Sequence, residues 1–249
     1  MGGLESGKGP AVIPVYVNTF NRLTTTRRLC EQIAELDNAV PIIVDNNSTW
    51  EPLLDWYRDC PFEVIRLPEN MGHHAPWTCG VTARPNAGFY CVTDCDLDLE
   101  GVPADLINVL QEPLISWHSS PVKSGVALRI DDLPSWQTQV REWECRFWKQ
   151  RIADQFGHVR YWAPIDTTLA MYRANTPVRI ATKVAGVRAV RVAGQYTARH
   201  MPWYLDPTNL DDENANYFAT ANGSNSWRPD GNKLTSRFCG GPRHSPRRV

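Results

Sequence analysis

The first hundred residues repeat one arrangement, in which a short apolar run of strand character ends in a polar loop and a helical pattern follows. The strand-like runs cover residues 11–17, 41–45, 62–67 and 89–93, and the helical patterns cover 23–36, 51–57 and 75–83. Strands that alternate with helices at this spacing form βαβ units. The sequence therefore predicts an α/β fold with a mostly parallel central sheet flanked by helices.

The loops after these runs lie at the edge where open parallel sheets bind ligands. They carry Thr19, Asn21, Arg22, Asp45, Asn70, Gly72, Asp94 and Asp96. No glycine-rich phosphate loop of the dinucleotide-binding or P-loop type follows any run. This argues against a nicotinamide dehydrogenase and against a P-loop NTPase. We expect a polar ligand site of another kind at this edge.

Three carboxylates at alternate positions follow the fourth run: Asp94, Asp96 and Asp98. Crowded carboxylates repel one another unless a cation or a proton intervenes. A solvated turn is the simpler alternative, since Asp is common in turns. A calcium loop of the EF-hand type does not fit, because Leu99 stands where that loop needs Gly and Asp105 where it needs Glu. The cluster predicts a site for a divalent metal.

Composition and charge exclude several classes of protein. The 249 residues, 42% hydrophobic and 21% charged, suffice for one large domain. Basic and acidic side chains number 26 and 27, so no overall field favours nucleic acid. The seven cysteines contain no Cys-x-x-Cys pair, which favours free thiols in a reducing compartment. No stretch is apolar and long enough to span a membrane, and we expect a cytoplasmic protein.

Four motifs stand in order after the four runs: Thr-Phe-Asn-Arg, Val-Asp-Asn-Asn-Ser-Thr, Pro-Glu-Asn-Met-Gly and Val-Thr-Asp-Cys-Asp-Leu-Asp. Together they resemble the nucleotide-binding half of a GT-A-fold glycosyltransferase, and they are similar to family 2. The resemblance implies a single Rossmann-like GT-A domain. Its parts would be a flexible N-terminus (1–10), a nucleotide-sugar half (11–110), an acceptor half (111–222) and a C-terminal tail (223–249).

The resemblance also implies roles for individual residues. Nucleotide binding would fall to Thr19, Asn21, Arg22, Asp45, Asn70, Gly72 and Asp94, with Asp45 at the base. Asp96 would hold Mn²⁺ or Mg²⁺ against the diphosphate, and Asp94 would contact either the ribose or the metal. For Asp98, direct ligation and a supporting or helix-capping role are equally open. His200 would return to complete the metal shell, although a lone His is more often structural.

In the second half, residues 125–130 and 187–192 are predicted strands, and an aromatic-rich stretch at 135–156 is a predicted helix. One acid, Asp166, interrupts an apolar, strand-like run at 161–173. A buried carboxylate is costly unless it is hydrogen-bonded or takes part in chemistry.

Asp166 is the predicted general base, because similar glycosyltransferases place acceptor contacts and often the base in this segment. The chain lacks the family's usual Glu-Asp pair there, and the neighbouring Thr167 and Thr168 could satisfy Asp166 structurally instead. The competitors are Asp211, Asp212 and Glu213. They open a predicted helix at 211–221, where acids ordinarily complement the helix dipole.

These features predict a metal-dependent glycosyltransferase that moves a sugar from a nucleotide diphosphate donor to a hydroxyl of a glycan or other acceptor. UDP is the favoured nucleotide, with inversion by a carboxylate base. A nucleotidyltransferase of related fold is one alternative, although residues 18–23 contain no glycine for the loop usual in that class. A non-catalytic sugar-binding module is another, against which the intact Asp45, Asp94 and Asp96 argue.

Overall fold

The fold comes from a computed structural model that describes residues 11–83, 88–118, 120–153 and 156–221. The predicted flexible N-terminus and C-terminal tail lie outside the described residues. The strands are β1 (Ile13–Thr19), β2 (Ala39–Asp45), β3 (Glu63–Arg66), β4 (Phe89–Asp94), β5 (Leu97–Asp98), β6 (Lys123–Val126), β7 (Arg151–Ile152), β8 (Arg160–Trp162), β9 (Ala170–Arg173), β10 (Ala189–Val192) and β11 (Arg199–His200). The helices are α1 (Thr24–Ala34), α2 (Glu51–Trp56), α3 (Ala75–Thr78), α4 (Leu106–Ser116), α5 (Thr138–Glu144), α6 (Val178–Ala181) and α7 (Asp212–Thr220).

Over the described ranges the central sheet has nine strands, in the order β3-β2-β1-β4-β9-β6-β10-β8-β7. The neighbours among β3, β2, β1 and β4 all pair in parallel. Beyond β4 the sheet is mixed, because only β6 and β10 pair in parallel there. The predicted α/β fold, with a parallel core flanked by helices, is confirmed.

β1 shows how the sheet is covered. Val15 and Val17 point to the face on which α1 and α4 pack, whereas Tyr16 points to the opposite face, towards Trp77 of α3. A parallel strand that is buried on both sides needs such a continuous apolar run. No helix within the described ranges is long and apolar enough to cross a membrane.

The predicted helix at 135–156 is wrong over its second part. Helix α5 ends at Glu144, a 3-10 turn follows at Cys145–Trp148, and the chain then enters β7. The aromatic spacing gave a helical pattern, but a pattern of this kind does not fix where the helix stops. The sequence prediction also lacked α4, which packs against β6, β9 and β10.

The strand-like run at 161–173 is two strands, β8 and β9, joined by an irregular crossing segment at 163–169. Pro164 interrupts the run, because proline has no N–H to donate to a sheet ladder. β8 ends beside the start of β10, and β9 begins beside the end of β4. The crossing segment therefore passes from one end of the sheet to the other and carries Asp166 towards the acidic loop.

Candidate active site at the carboxyl ends of the strands

The carboxyl ends of β1 and β4 lie side by side where the strand order reverses. From β1 the chain proceeds outward through β2 and β3, and β4 then lies on the other side of β1. Asn18 pairs with Asp94 across β1 and β4, and Thr19 pairs with Asp45 across β1 and β2. Open α/β sheets bind ligands in the crevice at such a switch point. The fold thus brings the predicted site residues of three loops to one edge.

Asp94 closes β4 and contacts the crossing segment. Its Oδ2 accepts a hydrogen bond from the Thr167 hydroxyl (2.5 Å), and its N–H donates to the Thr167 carbonyl (3.0 Å). Burial, followed by the negative charge of Asp96, raises the pKa of Asp94 well above its usual range, while the Thr167 hydroxyl opposes that rise. Two neighbouring carboxylates that resist joint ionisation are stabilised by a bound cation.

A short two-stranded sheet of β5 and β11 carries His200 to the acidic loop. Leu97 pairs with His200, and the Met201 N–H donates to the Asp96 carbonyl (2.8 Å). His200 Nε2 consequently lies 3.5 Å from Asp96 Oδ1. Asp96 Oδ1 and His200 Nδ1 are buried, and among the described residues neither has a hydrogen-bond partner. Leaving a buried polar atom unpaired costs free energy, and a cation between Asp96 Oδ1 and His200 Nε2 would remove that cost at Asp96 Oδ1.

Asp96 and His200 fit a divalent cation as two adjacent ligands. Burial lowers the pKa of His200, against the opposing charge of Asp96, and so favours the neutral imidazole that ligates metals. Adjacent ligands of an octahedral ion with bonds of about 2.1 Å lie about 3.0 Å apart, near the separation of 3.5 Å. Mg²⁺ is commonly held by one or two carboxylates, with phosphates and waters completing the shell. Across the described ranges, no group of three or more His, Cys, Asp or Glu side chains is gathered for a metal.

Asp98 has protein partners on both oxygens. Its Oδ1 accepts from Gln32 Nε2 (2.7 Å) and from the Glu100 N–H (3.0 Å), and its Oδ2 lies 3.0 Å from Arg28 Nη2. A buried carboxylate with this many donors needs no further cation. The geometry favours the supporting role over direct ligation, because these contacts tie the acidic loop to α1.

Arg22 lies beneath α7, close enough to the acidic loop for Asp96 to act on its charge. Its guanidinium packs on the Tyr217 ring, 3.7 Å from the centroid, and its Nη1 donates to Asn214 Oδ1 (3.0 Å). Burial works to lower the pKa of Arg22, but the Asp96 and Tyr217 interactions prevail and the pKa is raised. Its Nε is buried with no hydrogen-bond partner in the described part of the chain. One donor on this cation is therefore left for an anion.

Asp45, predicted to contact the base, is fully buried and bonded to protein groups. It accepts from the Ser48 N–H (3.2 Å) and from the Ser48 hydroxyl, and its Oδ2 pairs with Arg66 Nε (3.0 Å). The Arg66 side chain is 49% exposed. The oxygens of Asp45 are thus occupied by Ser48 and Arg66, and the role at the base stays a prediction.

Asn21 and Thr19 shape the turn between β1 and α1. Asn21 has a φ of 50°, in the left-handed region that Asn tolerates better than most residues. Its Oδ1 accepts from the Thr49 N–H (2.7 Å), and its Nδ2 donates to the Thr220 hydroxyl (2.9 Å). The Thr19 hydroxyl lies 2.7 Å from that of Thr26. Both side chains have protein partners, which supports a role in holding the loops for a ligand.

Asp166 lies in the middle of the crossing segment. Its carboxylate makes no hydrogen bond or ion pair with any residue of the described ranges. Burial raises its pKa, and the charges of His73, Lys123 and Arg191 oppose that rise. A half-buried acid surrounded by cationic groups, with its oxygens unused, is a reasonable general base.

The two threonines beside Asp166 do not satisfy it. Thr167 donates to Asp94 instead, and the hydroxyl of Thr168 is buried with no hydrogen-bond partner in the described ranges. The charge of Asp166 also contributes to raising the pKa of Asp94, so the two carboxylates interact. The Thr167 contact thus brings the segment that carries Asp166 against the acidic loop.

Two of the competing acids are engaged by helices. Asp211 caps α7, where its carboxylate accepts from the Asn214 N–H (2.7 Å). Glu213 reaches across to the start of α1 and accepts from the Thr24 N–H (3.0 Å) and hydroxyl (2.9 Å). Asp212 lies in the first turn of α7. These contacts support the helix-dipole interpretation and leave Asp166 as the favoured base.

Several solved structures are similar to this chain. They are S. aureus TarS 1–349 (13% identity, 76% of this chain and 60% of that chain covered, TM-score 0.46), TarS 1–349 in complex with UDP (14%, 65% and 46%, TM-score 0.39), and GalNAc-T7 with UDP, GalNAc and Mn²⁺ (11%, 78% and 44%, TM-score 0.43). These neighbours are glycosyltransferases. The chain spans between 44% and 60% of their lengths. No protein-family model and no curated protein matches the sequence.

An asparagine network joins three loops of the site, and its centre was missed in the sequence. Asn46 Nδ2 donates to Asn18 Oδ1 (2.7 Å) and to the Gly72 carbonyl (3.1 Å), while its Oδ1 accepts from the Met71 N–H (3.0 Å). Asn70 Oδ1 accepts from the Gly72 N–H (2.9 Å). Sequence position could have indicated this network, because Asn18 and Asn46 are each adjacent to a predicted site residue. The network fixes the backbone of the crevice.

Proposed function

We propose that this chain is a metal-dependent glycosyltransferase. The observation that carries the proposal is the pair of Asp96 and His200: Asp96 Oδ1 is buried with no hydrogen-bond partner in the described ranges, and it lies 3.5 Å from His200 Nε2. The pair lies beside Asp94, at the switch point between β1 and β4. This donor set suits Mn²⁺ or Mg²⁺ against phosphate oxygens.

The reaction divides between two groups of residues. Asp96 and His200, with Asp94 nearby, would hold the cation, which would supply charge stabilisation for a departing diphosphate. Arg22 adds a fixed positive charge and an unused N–H on the same side of the site. Asp166 takes the proton from the acceptor hydroxyl as that hydroxyl attacks the sugar carbon, which leads to inversion.

The donor is a nucleotide-diphosphate sugar, with UDP favoured by the family resemblance, and the acceptor is a hydroxyl of a glycan or similar molecule. Thr19, Asn21, Asn70 and Gly72 hold the loops of the nucleotide crevice, and Asp45 reads the base once Arg66 has moved. Asp98 supports the acidic loop. The protein works in the cytoplasm.

The test is release of nucleotide from a panel of UDP-, GDP- and dTDP-sugars, with Mn²⁺ or with EDTA. We expect Mn²⁺-dependent release of a nucleoside diphosphate, and its loss in Asp96→Ala. The matched control is Asp55→Ala, which removes an exposed acid that forms an ion pair with Arg58. Release of pyrophosphate from a nucleoside triphosphate with a sugar phosphate would instead identify a nucleotidyltransferase. Sugar binding without turnover would identify a binding module.

A further inference from the structure

Two buried cations lie on neighbouring strands near Asp166. Lys123 of β6 is 0% exposed and Arg191 of β10 is 5% exposed. Lys123 pairs with Ala189 and Gly125 pairs with Arg191, so the alternation of side chains places both cations on the same face of the sheet. Lys and Arg are almost never fully buried unless they are paired. Their charges therefore require a partner on that face.

Arg191 is bonded to the crossing segment itself. Its Nε donates to the Pro164 carbonyl (2.8 Å), two residues before Asp166. Its Nη1 forms a buried ion pair with Glu144, the last residue of α5. The guanidinium thus fixes the backbone just before Asp166 and is itself fixed from the other side. The bonds of a planar guanidinium are directional, so this contact sets position as well as charge.

Lys123 has fewer contacts. Its Nζ donates to the Ala181 carbonyl (3.0 Å) and lies 5.6 Å from the centre of the Tyr172 ring. No carboxylate forms an ion pair with it in the described ranges. Burial lowers the pKa of Lys123 to about 8, and the charge of Asp166 opposes that change. Asp166 is therefore the acid that offsets this buried cation.

Gly125 lets the crossing segment approach the same strand. A methyl group at Gly125 would lie 2.4 Å from the Leu169 carbonyl oxygen and 2.8 Å from Cβ of Ala170. Only a residue without Cβ fits under that backbone. The end of the segment thus contacts β6 at Gly125, two residues after Lys123 and opposite Arg191 of β10.

The charged groups that act on Asp166 come from several elements. His73, Lys123 and Arg191 favour its ionised form, and Asp94 is the carboxylate with which it interacts. We propose that Lys123 and Arg191 are positioning residues for Asp166: Arg191 fixes the backbone that carries the carboxylate, and Lys123 supplies the buried positive charge that keeps it ionised. The role of Asp166 as the base rests on the proposed function. The effect of the Lys123 charge on Asp166 does not depend on that function.

The experiment compares Lys123→Met with Arg160→Met. Arg160 is a matched control, since it is also 0% exposed in the same sheet and it donates hydrogen bonds to the Val109 carbonyl and to Glu112. We expect Lys123→Met to lower kcat for transfer by about 10- to 100-fold, with the KM for the donor and Mn²⁺ affinity unchanged. Arg160→Met should lower the melting temperature without a comparable loss of kcat for the folded protein.

A second readout needs no activity. The carboxyl ¹³C signal of Asp166, assigned by its absence in Asp166→Asn, should titrate at higher pH in Lys123→Met than in the parent protein and in Arg160→Met. Arg191→Lys keeps a charge but loses the planar contacts, so it should lower kcat and leave that titration near its original position.

The outcomes separate the two proposals. An unchanged Asp166 titration in Lys123→Met, or an equal loss of kcat in Arg160→Met, overturns the role of Lys123. Normal kcat in Arg191→Lys overturns the role of Arg191. If the parent protein transfers no sugar from any donor, the proposed function fails, while the titration in Lys123→Met still decides whether Lys123 acts on Asp166.

Discussion

Asp45 and Asp98 of the first half and Asp166 of the crossing segment are held in opposite ways. Asp45 and Asp98 are saturated with protein hydrogen bonds and ion pairs. Asp166 has none within the described residues and is balanced by charges at a distance. A buried carboxylate oxygen that is fully bonded is stable as it stands, whereas a buried oxygen without a partner is costly unless a ligand binds it. Asp96 Oδ1 is an oxygen of the second kind, because it is buried and has no hydrogen-bond partner among the described residues.

The largest effect should come from a variant that changes Asp166 and leaves Asp96 intact. Asp166→Asn should lower transfer by roughly 10²- to 10⁴-fold, the range for loss of a general base. Mn²⁺-dependent nucleotide binding should survive, because Asp96 and His200 are untouched. Single-turnover transfer and calorimetry measure the two quantities.

The control for that comparison is Asp211→Asn, which changes an acid engaged by the α7 cap. If Asp166→Asn transfers normally and a change at Asp211, Asp212 or Glu213 does not, the base lies among the later acids. The contrast between a bonded and an unbonded acid would then be a poor guide to chemistry in this protein.

Asp45, whose carboxylate is bonded to Ser48 and Arg66, should contribute to the stability of the fold. Asp45→Ala leaves the buried Ser48 groups and Arg66 without their carboxylate, so we expect unfolding in urea to show a loss on the order of 1–3 kcal/mol. Asp55→Ala, which breaks an exposed pair with Arg58, should cost far less. Weaker nucleotide binding with unchanged stability would show that Asp45 serves the base and not the loop.

The first half of the fold could be predicted because its signals are local. Each of β1 to β4 is an apolar run followed by a polar loop, and parallel pairing brings the ends of such runs to one edge. In the structure, β1 begins and ends two residues later than predicted, so Asn18 and Thr19 lie inside the strand. The return of His200 depended on the family resemblance, since no local pattern links β11 to β5.

The second half could not be predicted in the same way, because its arrangement depends on contacts distant in sequence. Nothing near Lys123 or Arg191 indicates that either cation faces Asp166. The crossing segment looks like part of a strand, since its apolar residues are buried on both sides, and Pro164 was the one local sign against it. The strand propensity of a residue does not indicate which side chains of neighbouring strands will lie beside it.

The contribution of Asp94 to stability should respond to pH. The pKa of Asp94 is raised by burial and by Asp96, so its stabilising contribution is full in acid and is lost as pH rises through the folded-state value. Asn at this position cannot ionise, so Asp94→Asn removes that loss of stability. We expect a higher melting temperature at neutral pH without metal, by a few degrees, since about 1 kcal/mol moves the midpoint by roughly 2–4 °C at this chain length. Below the pKa of an unfolded Asp the difference should vanish, and a constant difference across pH would contradict this account.

The smallest effect should come from Glu213, a competing acid that the protein itself uses. Helix α1 starts after Leu23 with no side-chain cap from its own N-cap residue, and Glu213 of α7 accepts from the Thr24 N–H instead. Glu213→Ala should cost roughly 0.5–1 kcal/mol, the lower part of the range for capping residues, because the contact is open to solvent.

Amide hydrogen exchange should locate that loss at the start of α1 and in α7, with the strands unaffected. Asp212→Ala, in the same turn of α7, is the control, since only Glu213 bridges to Thr24. Transfer should fall in neither variant. A Glu213→Ala protein of normal stability that has lost transfer would assign the proton-accepting role to Glu213, and the unbonded Asp166 would then need another explanation.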